Sequence, residues 1–260
     1  MDRDDFDDLK GHDRGVDVVD PHSVVDDKTI SRWTQDWLRW SYFAPNNADQ
    51  NPLLDTTGQA ANFNNNGKIF FIAGTFGTGE ATREISDVPA DKPILLPMIN
   101  AWDTEGPGIE TLANFHGGFK TESERFSAEA TLVTELAKAS IYDAYATLTR
   151  IGDSKPLVDL HWPDSARFSE STGIFSWGAP PSGSFFADGL LGGSALDPTI
   201  ADLPFTKQIG YWLMLDELKP GDYTLEFGGH GHAVQDPTDA TRTVFSEGWG
   251  SVIHDTLHVV

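Results

Sequence analysis

The stretch I-G-Y-W-L-M-L-D-E-L-K-P-G-D-Y-T-L-E-F-G-G, residues 209–229, decides the fold class of this chain. Side chains of a strand point alternately to its two faces, and residues 209–215 carry large apolar side chains on both. They predict a central strand that is covered on both sides. Pro220-Gly221 supplies the fixed φ and the tolerance of positive φ that a tight reversal needs. Residues 223–227 then alternate between apolar and polar, which predicts a half-buried return strand and a hairpin.

Two helices interrupt the β pattern. Trp33, Trp37 and Trp40 recur at spacings of four and three, which places them on one face of a short helix packed against the sheet. Farther along, the run T-E-S-E at 121–124 is a capping box, and apolar residues follow it at helical spacing. This pattern predicts an amphipathic helix over 122–139.

Shorter apolar or alternating runs predict further strands at 68–73, 93–99, 141–151, 174–177 and 252–260. The predicted fold class is therefore all-β. We expect an antiparallel, jelly-roll-like β-sandwich with one amphipathic helical insertion at about 107–139. Residues 29–260 are expected to form this single domain, because the length suffices for one large β domain with a substantial core.

Residues 1–28 differ in composition from the rest of the chain, because they are dense in aspartate and hold only scattered valines. This composition favours an acidic, flexible arm. The valines leave a second interpretation open, in which the arm becomes a strand at the edge of a partner's sheet. Such strand addition would join copies of the chain into a homo-oligomer or filament.

The charge of the chain limits its partners. It has 18 basic and 40 acidic residues and a formal net charge of −22. Because this surface repels phosphate and anionic lipid, we expect no nucleic acid partner, and cations, neutral sugars or proteins are suitable instead. No apolar run approaches the ~20 residues of a spanning helix, so no membrane insertion is expected. The absence of cysteine excludes disulfides, thiolate metal sites and cysteine nucleophiles.

A series of short motifs lies between Trp33 and Gly229: W-x-x-W, N-P-L-L-D-T-T-G, G-K-I-F-F-I-A-G-T, V-P-A-D-K-P-I-L-L-P, G-Y-W-L-M-L and L-K-P-G-D-Y-T-L-E-F-G-G. This series resembles a family of secreted bacterial β-sandwich proteins that has no assigned activity. The resemblance implies an extracellular or cell-surface location but no catalytic residue. Members often carry cysteines near the D-x-T-G and V-P-A-x-K motifs, so the cysteine-free chain is not expected to share a disulfide with them. The acidic N-terminus is unlike a signal peptide, so secretion implies a removed leader or another route.

The run G-H-G-H at 229–232 is the best candidate for a metal site. Two histidines at i and i+2 of a strand point the same way, and His230 and His232 can converge on one zinc ion. No third ligand is evident from the sequence. The flanking glycines are equally typical of an exposed polar loop.

Asp103 and Glu105 stand beside Trp102 at a strand end. Two carboxyl groups next to an aromatic platform can bind a carbohydrate and, as acid and base, cleave it. Neighbours in one loop seldom take these separate roles, so the three residues are candidates for binding first and for catalysis second.

Loops rich in Asn and Asp at 46–55 and 62–66 offer the hard oxygen ligands that calcium prefers. Turns in which Asn or Asp side chains bond to nearby backbone groups would produce the same composition. Calcium and zinc are therefore both candidate cofactors, and the sequence does not decide between a metal and a turn.

These observations favour a non-catalytic extracellular module, with a binding or structural role, that self-assembles through its N-terminal arm. The alternative is a hydrolase or lyase acting on a polysaccharide, with or without a metal. No phosphate loop, nucleophile elbow or zinc-protease helix occurs in the sequence, so an enzyme is the less favoured class.

Overall fold

The computed structural model describes residues 15–76, 79–106, 109–191 and 205–260. The described part of the protein is mostly β, with 41% of its residues in strands, which confirms the predicted preponderance of strands. Within it, two sheets of five strands each and two small two-stranded sheets make up the β structure. Jelly-roll connectivity stays a prediction.

The first sheet contains β1 (Asp17–Val18), β4 (Phe70–Phe71), β6 (Ile94–Glu105), β9 (Ser169–Ser171) and β10 (Phe205–Asp216). Its order is β1-β10-β6-β4, and β9 also pairs with β10. The two faces of β10 are buried against different neighbours. Leu213 and Leu215 belong to the core shared with the second sheet, whereas Trp212 and Met214 belong to an aromatic layer on the other side. The prediction of a central strand covered on both faces is confirmed.

The second sheet contains β5 (Glu80–Val88), β7 (Ile141–Arg150), β8 (Val158–Leu160), β11 (Gly221–Gly231) and β14 (Trp249–Val259). Its order is β5-β14-β11-β7-β8. Alternate residues of β11 are buried and exposed, so one face of this sheet covers the core and the other meets solvent. The small sheets are β2 (Val24–Val25) with β3 (Lys28–Thr29), and β12 (Val234–Asp236) with β13 (Asp239–Phe245).

The predicted hairpin between β10 and β11 is wrong. Strand β10 pairs with β6, β9 and β1, whereas β11 pairs with β14 and β7. Residues 217–220 therefore carry the chain from one sheet to the other, with Glu217 at a φ of 57° and Leu218 buried. Both apolar faces of β10 need a cover, and β11 provides one by packing face to face.

The sheets are also not wholly antiparallel. Strand β4 runs parallel to β6, and β5 runs parallel to β14. Both are edge strands that arrive after long connections, and such connections leave the strand direction open. The antiparallel part of the prediction therefore holds only for the remaining pairs.

Residues 15–28 are ordered against the protein, although the sequence favoured a flexible arm up to Lys28. Val18 pairs with Leu215 at the edge of β10, and Val16 and Val18 are buried. The arm thus completes an edge of its own chain, and exchange of β1 between copies stays a prediction. Residues 1–14 of the arm lie outside the described residues.

Helix α1 (Ile30–Tyr42) confirms the prediction made from the tryptophan spacing. Thr29 caps it by accepting a hydrogen bond from the Arg32 N–H. The indole N–H groups of Trp33, Trp37 and Trp40 each donate to a backbone carbonyl at 2.8 Å. These bonds satisfy the polar edges of the rings, so the helix can bury its aromatic face in the layer beside β10.

Helix α2 (Glu122–Ser140) also confirms its prediction, with Thr121 as the N-cap. Glu124 reaches back to the N–H of Lys120 at 2.9 Å, which completes the capping arrangement. Its Ala137 packs against Ala101 and Ile209, so the helix covers the far ends of β6 and β10. No helix among the described residues has the length and apolar character that crossing a membrane requires.

Candidate functional site

A cavity of about 320 Å³ lies beside the middle of β6, between the loop at 74–76 and the start of β14. Strand β4 pairs only with Ile94 and Leu95, so among the described residues no strand lies beside β6 on this side after that point. Pro97 falls within this stretch, where a missing N–H costs no sheet hydrogen bond. The cavity therefore occupies the place of an absent neighbouring strand.

The backbone of β6 presents polar groups to this cavity. On β10, the backbone N–H and C=O groups of Thr206 bond to Phe175, on the side away from β6. Backbone groups of successive residues point to alternate sides of a strand, so those of Gln208 and Gly210 also point away from β6. Trp102 lies opposite Gln208, and Asn100 lies opposite Gly210. The N–H and C=O groups of Asn100 and Trp102 therefore point away from β10. Both residues line the cavity.

Aromatic rings form much of the cavity wall. Trp37 and Tyr42 line its buried part, whereas Phe76 is 40% exposed and Trp102 and Trp249 are half-buried. The Tyr42 and Trp102 rings meet edge to face with their centroids 4.9 Å apart. Burial raises the pKa of Tyr42 to about 12, so its hydroxyl stays neutral. The part of the wall formed by described residues is thus largely aromatic and carries no charged side chain.

A buried ion pair holds the loop that carries Thr75 and Phe76. Arg83 contacts both carboxylate oxygens of Asp255, at 2.7 and 2.8 Å, and both side chains are almost fully buried. The same guanidinium donates to the carbonyls of Ala73, at 2.7 Å, and Gly74. These bonds fix the backbone just before Thr75, whose hydroxyl is buried with no hydrogen-bond partner among the described residues.

The three residues predicted as a carbohydrate site are divided between two faces of β6. A bulge at Met98 sets the alternation of the following residues, so Trp102 joins the aromatic layer while Asp103 and Glu105 face the other way. Asp103 and Glu105 are 6% and 0% exposed, and neither lines the cavity. The expectation that Trp102 would form a stacking platform beside these carboxyl groups is therefore wrong.

Asp103 and Glu105 instead form a buried carboxyl pair. They are hydrogen-bonded to each other, and Thr111 donates its hydroxyl to Asp103 at 2.6 Å and its N–H to Glu105 at 3.1 Å. Burial raises the pKa of both groups, and the adjacent Asp103 carboxylate helps to raise that of Glu105 to about 10. A proton retained by Glu105 supplies the donor that Asp103 Oδ2 lacks among the described residues.

A third carboxyl group approaches this pair from α2. Glu129 is fully buried, accepts from the Leu112 N–H at 2.7 Å and lies 3.4 Å from Arg125. Burial raises its pKa, and Arg125 opposes the rise. Through their hydrogen bonds, these carboxyl groups connect β6 and α2 to the segment 109–112. Their role in this arrangement is structural.

His230 and His232 each pair with a carboxylate. His230 lies 3.4 Å from Asp143 and His232 lies 3.0 Å from Glu247, with the Tyr142 ring beside both imidazoles. Among the described residues, no group of three or more His, Asp or Glu side chains is arranged to hold a metal ion. The described part of the fold therefore brings no third zinc ligand to His230 and His232.

The Asn- and Asp-rich loops use several of their oxygens on backbone groups. Asp55 accepts from the N–H groups of Thr57 and Ala60, both at 2.7 Å, and Asn51 accepts from that of Leu53. Asn65 bonds to the N–H and C=O of Phe71 and so acts as a strand neighbour for β4. For these residues the turn interpretation explains the composition.

Sequence reasoning missed the cavity, because its wall combines residues that are far apart in the chain. Thr75, Asn100 and Ser251 all line it, and no motif links them. One local signal was present: Pro97 inside an apolar strand run is typical of a strand with an unpaired edge. A scan against known protein families, a search of characterised proteins and a search of solved structures found no match. The resemblance to a secreted bacterial family stays a prediction.

Proposed function

We propose that the protein is a non-catalytic binding module that holds a neutral saccharide in the cavity beside β6. The observation that carries the proposal is the combination of partly exposed aromatic rings with an open strand edge in one small cavity. Its volume of about 320 Å³ lies at the lower end of the range for small-ligand pockets, roughly 300–1,000 Å³. A ligand of this size is a short saccharide or a single terminal unit of a longer one.

The wall has the two kinds of surface that a saccharide needs. Phe76, Trp102 and Trp249 offer apolar ring surface for the C–H face of a sugar. The backbone groups of β6, the Thr75 hydroxyl and the Asn100 side chain offer donors and acceptors for its hydroxyl groups. Among the described residues, no Asp, Glu, Lys, Arg or His lines the cavity. A neutral ligand fits this wall, and the net charge of −22 disfavours sulfated or uronic sugars.

The proposal keeps the extracellular or cell-surface location expected from the sequence. It does not carry forward the polysaccharide hydrolase or lyase, which was expected either at Trp102, Asp103 and Glu105 or at the loop of His230 and His232. Neither the carboxyl pair nor the two histidines line the cavity. Self-assembly through the arm is not needed for binding at this cavity.

The test compares two phenylalanines of similar exposure. Phe76 is 40% exposed and lines the cavity, whereas Phe119 is 38% exposed and lies beside α2. A panel of neutral mono- and disaccharides is screened by saturation-transfer NMR, and the affinity of each hit is measured by calorimetry. We expect at least one hit, an affinity loss of about tenfold in Phe76→Ala, and little change in Phe119→Ala.

Two results would overturn the proposal. One is a panel in which no neutral saccharide binds. The other is an equal loss of affinity in Phe76→Ala and Phe119→Ala, since binding would then not depend on the cavity.

A further inference from the structure

The open edge of β6 resembles the edge of a sheet from which one strand is missing. Next to the pairing with β4, the Ile72 N–H donates to the Leu95 carbonyl at 3.0 Å. Farther along β6, the outward backbone N–H and C=O groups of Asn100 and Trp102 have no hydrogen-bond partner in the described part of the chain. In a continuous sheet, the peptide groups of a neighbouring strand would bond to them. The edge therefore offers bonding sites that suit an amide.

A free polar atom lies on another wall of the same cavity. Thr75 lines the cavity, and its hydroxyl oxygen is buried without a hydrogen-bond partner among the described residues. A hydroxyl oxygen can accept an N–H. The bonds from Arg83 to the carbonyls of Ala73 and Gly74 hold the preceding backbone, so the fold fixes the position of this acceptor.

One amide group matches both walls. A trans amide carries its C=O and its N–H on opposite sides, so a peptide group within a sheet bonds to neighbours in two directions. An amide in the cavity can accept the N–H of Asn100 with its oxygen and donate its own N–H to Thr75. Asn100 is the nearer of the two edge residues to the pairing with β4, whose continuation carries Thr75. A sugar hydroxyl, by contrast, makes both kinds of bond at a single oxygen atom.

We propose that the saccharide in this cavity is an N-acetylated amino sugar, a choice of ligand that rests on the proposed binding function. Its acetamido group takes the place of one peptide group of the missing strand. The acetyl methyl group is apolar and meets the ring surface that Trp37 and Tyr42 contribute to the buried part of the cavity. No carboxylate of the described residues lines the cavity, so a free amino sugar has no partner there for its ammonium group.

A peptide strand is a poorer occupant of this edge. Strand β4 already pairs with Ile94 and Leu95, so one end of the edge is closed to an extended chain. The volume of about 320 Å³ lies at the lower end of the range for small-ligand pockets. A sugar unit brings one amide into this space without requiring a continuous strand.

Matched pairs of sugars test the role of the acetamido group. N-acetylglucosamine and glucose, like N-acetylgalactosamine and galactose, differ only in an acetamido group that replaces one hydroxyl, and calorimetry with the full chain measures their affinities. We expect the acetamido sugar of at least one pair to bind about tenfold more tightly than its partner, because further hydrogen bonds form. Equal affinities within both pairs would overturn the acetamido assignment and leave the saccharide function intact. Binding by no neutral saccharide would overturn that function and the assignment with it.

A pair of threonine variants tests the acceptor. Thr75→Val removes the hydroxyl and nearly keeps the shape of the side chain, so the preference for the acetamido sugar should fall about fivefold. Thr256→Val makes the same change at a half-buried position of β14 that does not line the cavity, and it should keep the wild-type preference. An unchanged preference in Thr75→Val would overturn the assignment.

A second pair of variants tests the backbone donor. Asn100→Pro removes the outward N–H together with the side chain, whereas Asn100→Ala removes only the side chain. The proline should cost no bond to β10, since this N–H points away from it, and Pro97 is accommodated in the same strand. Circular dichroism checks the fold of both variants, and Thr75→Val decides if Asn100→Pro is unfolded.

We expect the preferred acetamido sugar to bind about fivefold more weakly to Asn100→Pro than to Asn100→Ala. Equal affinities for the two folded variants would overturn the assignment. Tighter binding of a blocked trialanine peptide than of either acetamido sugar would overturn it as well, because the edge would then select a strand.

Discussion

Two buried carboxylates, Asp255 and Glu105, lie in different parts of the molecule and are neutralised in different ways. Asp255 is held by the guanidinium of Arg83 through two hydrogen bonds. Glu105 has another carboxyl group, Asp103, as its neighbour, and it retains a proton instead. Burial raises the pKa of both groups, but only for Asp255 does a cation oppose the rise.

The difference teaches that burial alone does not decide how a charge affects stability. A guanidinium keeps its charge at every accessible pH, so Asp255 always has a cationic partner. A proton is lost as the pH rises, so the Glu105 pair makes stability depend on pH. The buried charge of Asp255 is therefore balanced by a cation, whereas that of Glu105 is avoided by retention of a proton.

The largest expected effect comes from removing the cation. Arg83→Met leaves Asp255 buried without its partner, and we expect a loss of about 3–5 kcal/mol in the free energy of unfolding. Urea unfolding at pH 7 measures it. Lys28→Met removes an exposed ion pair with Asp36 and serves as the control, with an expected loss below about 1 kcal/mol.

The double variant Arg83→Met/Asp255→Leu sharpens the same comparison. It removes both charges, so most of the stability lost in Arg83→Met should return. If the double variant is as unstable as the single one, the carbonyl bonds from Arg83 to Ala73 and Gly74 are the main contribution. A loss below about 1 kcal/mol in Arg83→Met would contradict a buried pair altogether.

The second effect concerns the proton on Glu105. Its pKa is about 10 in the folded protein and ordinary when unfolded, so folding takes up a proton at neutral pH. The stabilising contribution is complete below the ordinary glutamate pKa of about 4.5 and declines as the pH rises toward about 10. Glu105→Gln provides an N–H toward Asp103 without this proton uptake, so it should be more stable than wild type at pH 8 by on the order of 2 kcal/mol.

Urea unfolding at pH 5 and pH 8 tests whether the contribution of Glu105 to stability declines as the pH rises. The difference between Glu105→Gln and wild type should be larger at pH 8 than at pH 5. Glu217→Gln, at an exposed position, should follow the wild-type profile. A Glu105→Gln variant with the same dependence on pH as wild type would show that Glu105 is ionised in the folded protein.

The smallest effect is expected at the surface, where a carboxylate pair shares a histidine. Hydrogen bonds to Asp222 and then to Glu84 raise the pKa of His258. Its contribution to stability is therefore complete below the ordinary histidine pKa of about 6.5 and is lost as the pH rises through the raised value. The melting temperature of His258→Gln should fall farther below that of wild type at pH 5.5 than at pH 8.5. Equal differences at the two pH values would contradict the assignment.

Local sequence patterns predicted the helices and strands better than they predicted which strands pair with each other. The tryptophan spacing at 33–40 and the capping box at 121–124 specified both long helices, because their signals lie within a few residues. The pattern at 209–229 specified two strands and the reversal between them. It did not distinguish a hairpin from a crossing between sheets, because both place the same apolar residues inward.

The candidate site was harder to predict, because it depends on one bulge and on distant contacts. Neighbouring residues of a strand face opposite ways, and the bulge at Met98 decides which way: Trp102 joins the aromatic layer, whereas Asp103 faces away from it. A one-residue bulge leaves no reliable mark in the sequence. Arg83 and Asp255 are separated by 172 residues, and nothing local links them.

That separation has a consequence for how the chain is made. Strand β5 pairs along β14, about 172 residues later, so its place in the sheet is filled only after a long stretch has been synthesised. At ~5–20 residues per second, this interval is roughly 10 to 35 seconds. During it, the alternating exposed residues of β5, among them Glu80 and Glu84, put charge on a strand that β14 does not yet cover. Such charges oppose pairing with other nascent chains, so β5 can wait for β14 without aggregating.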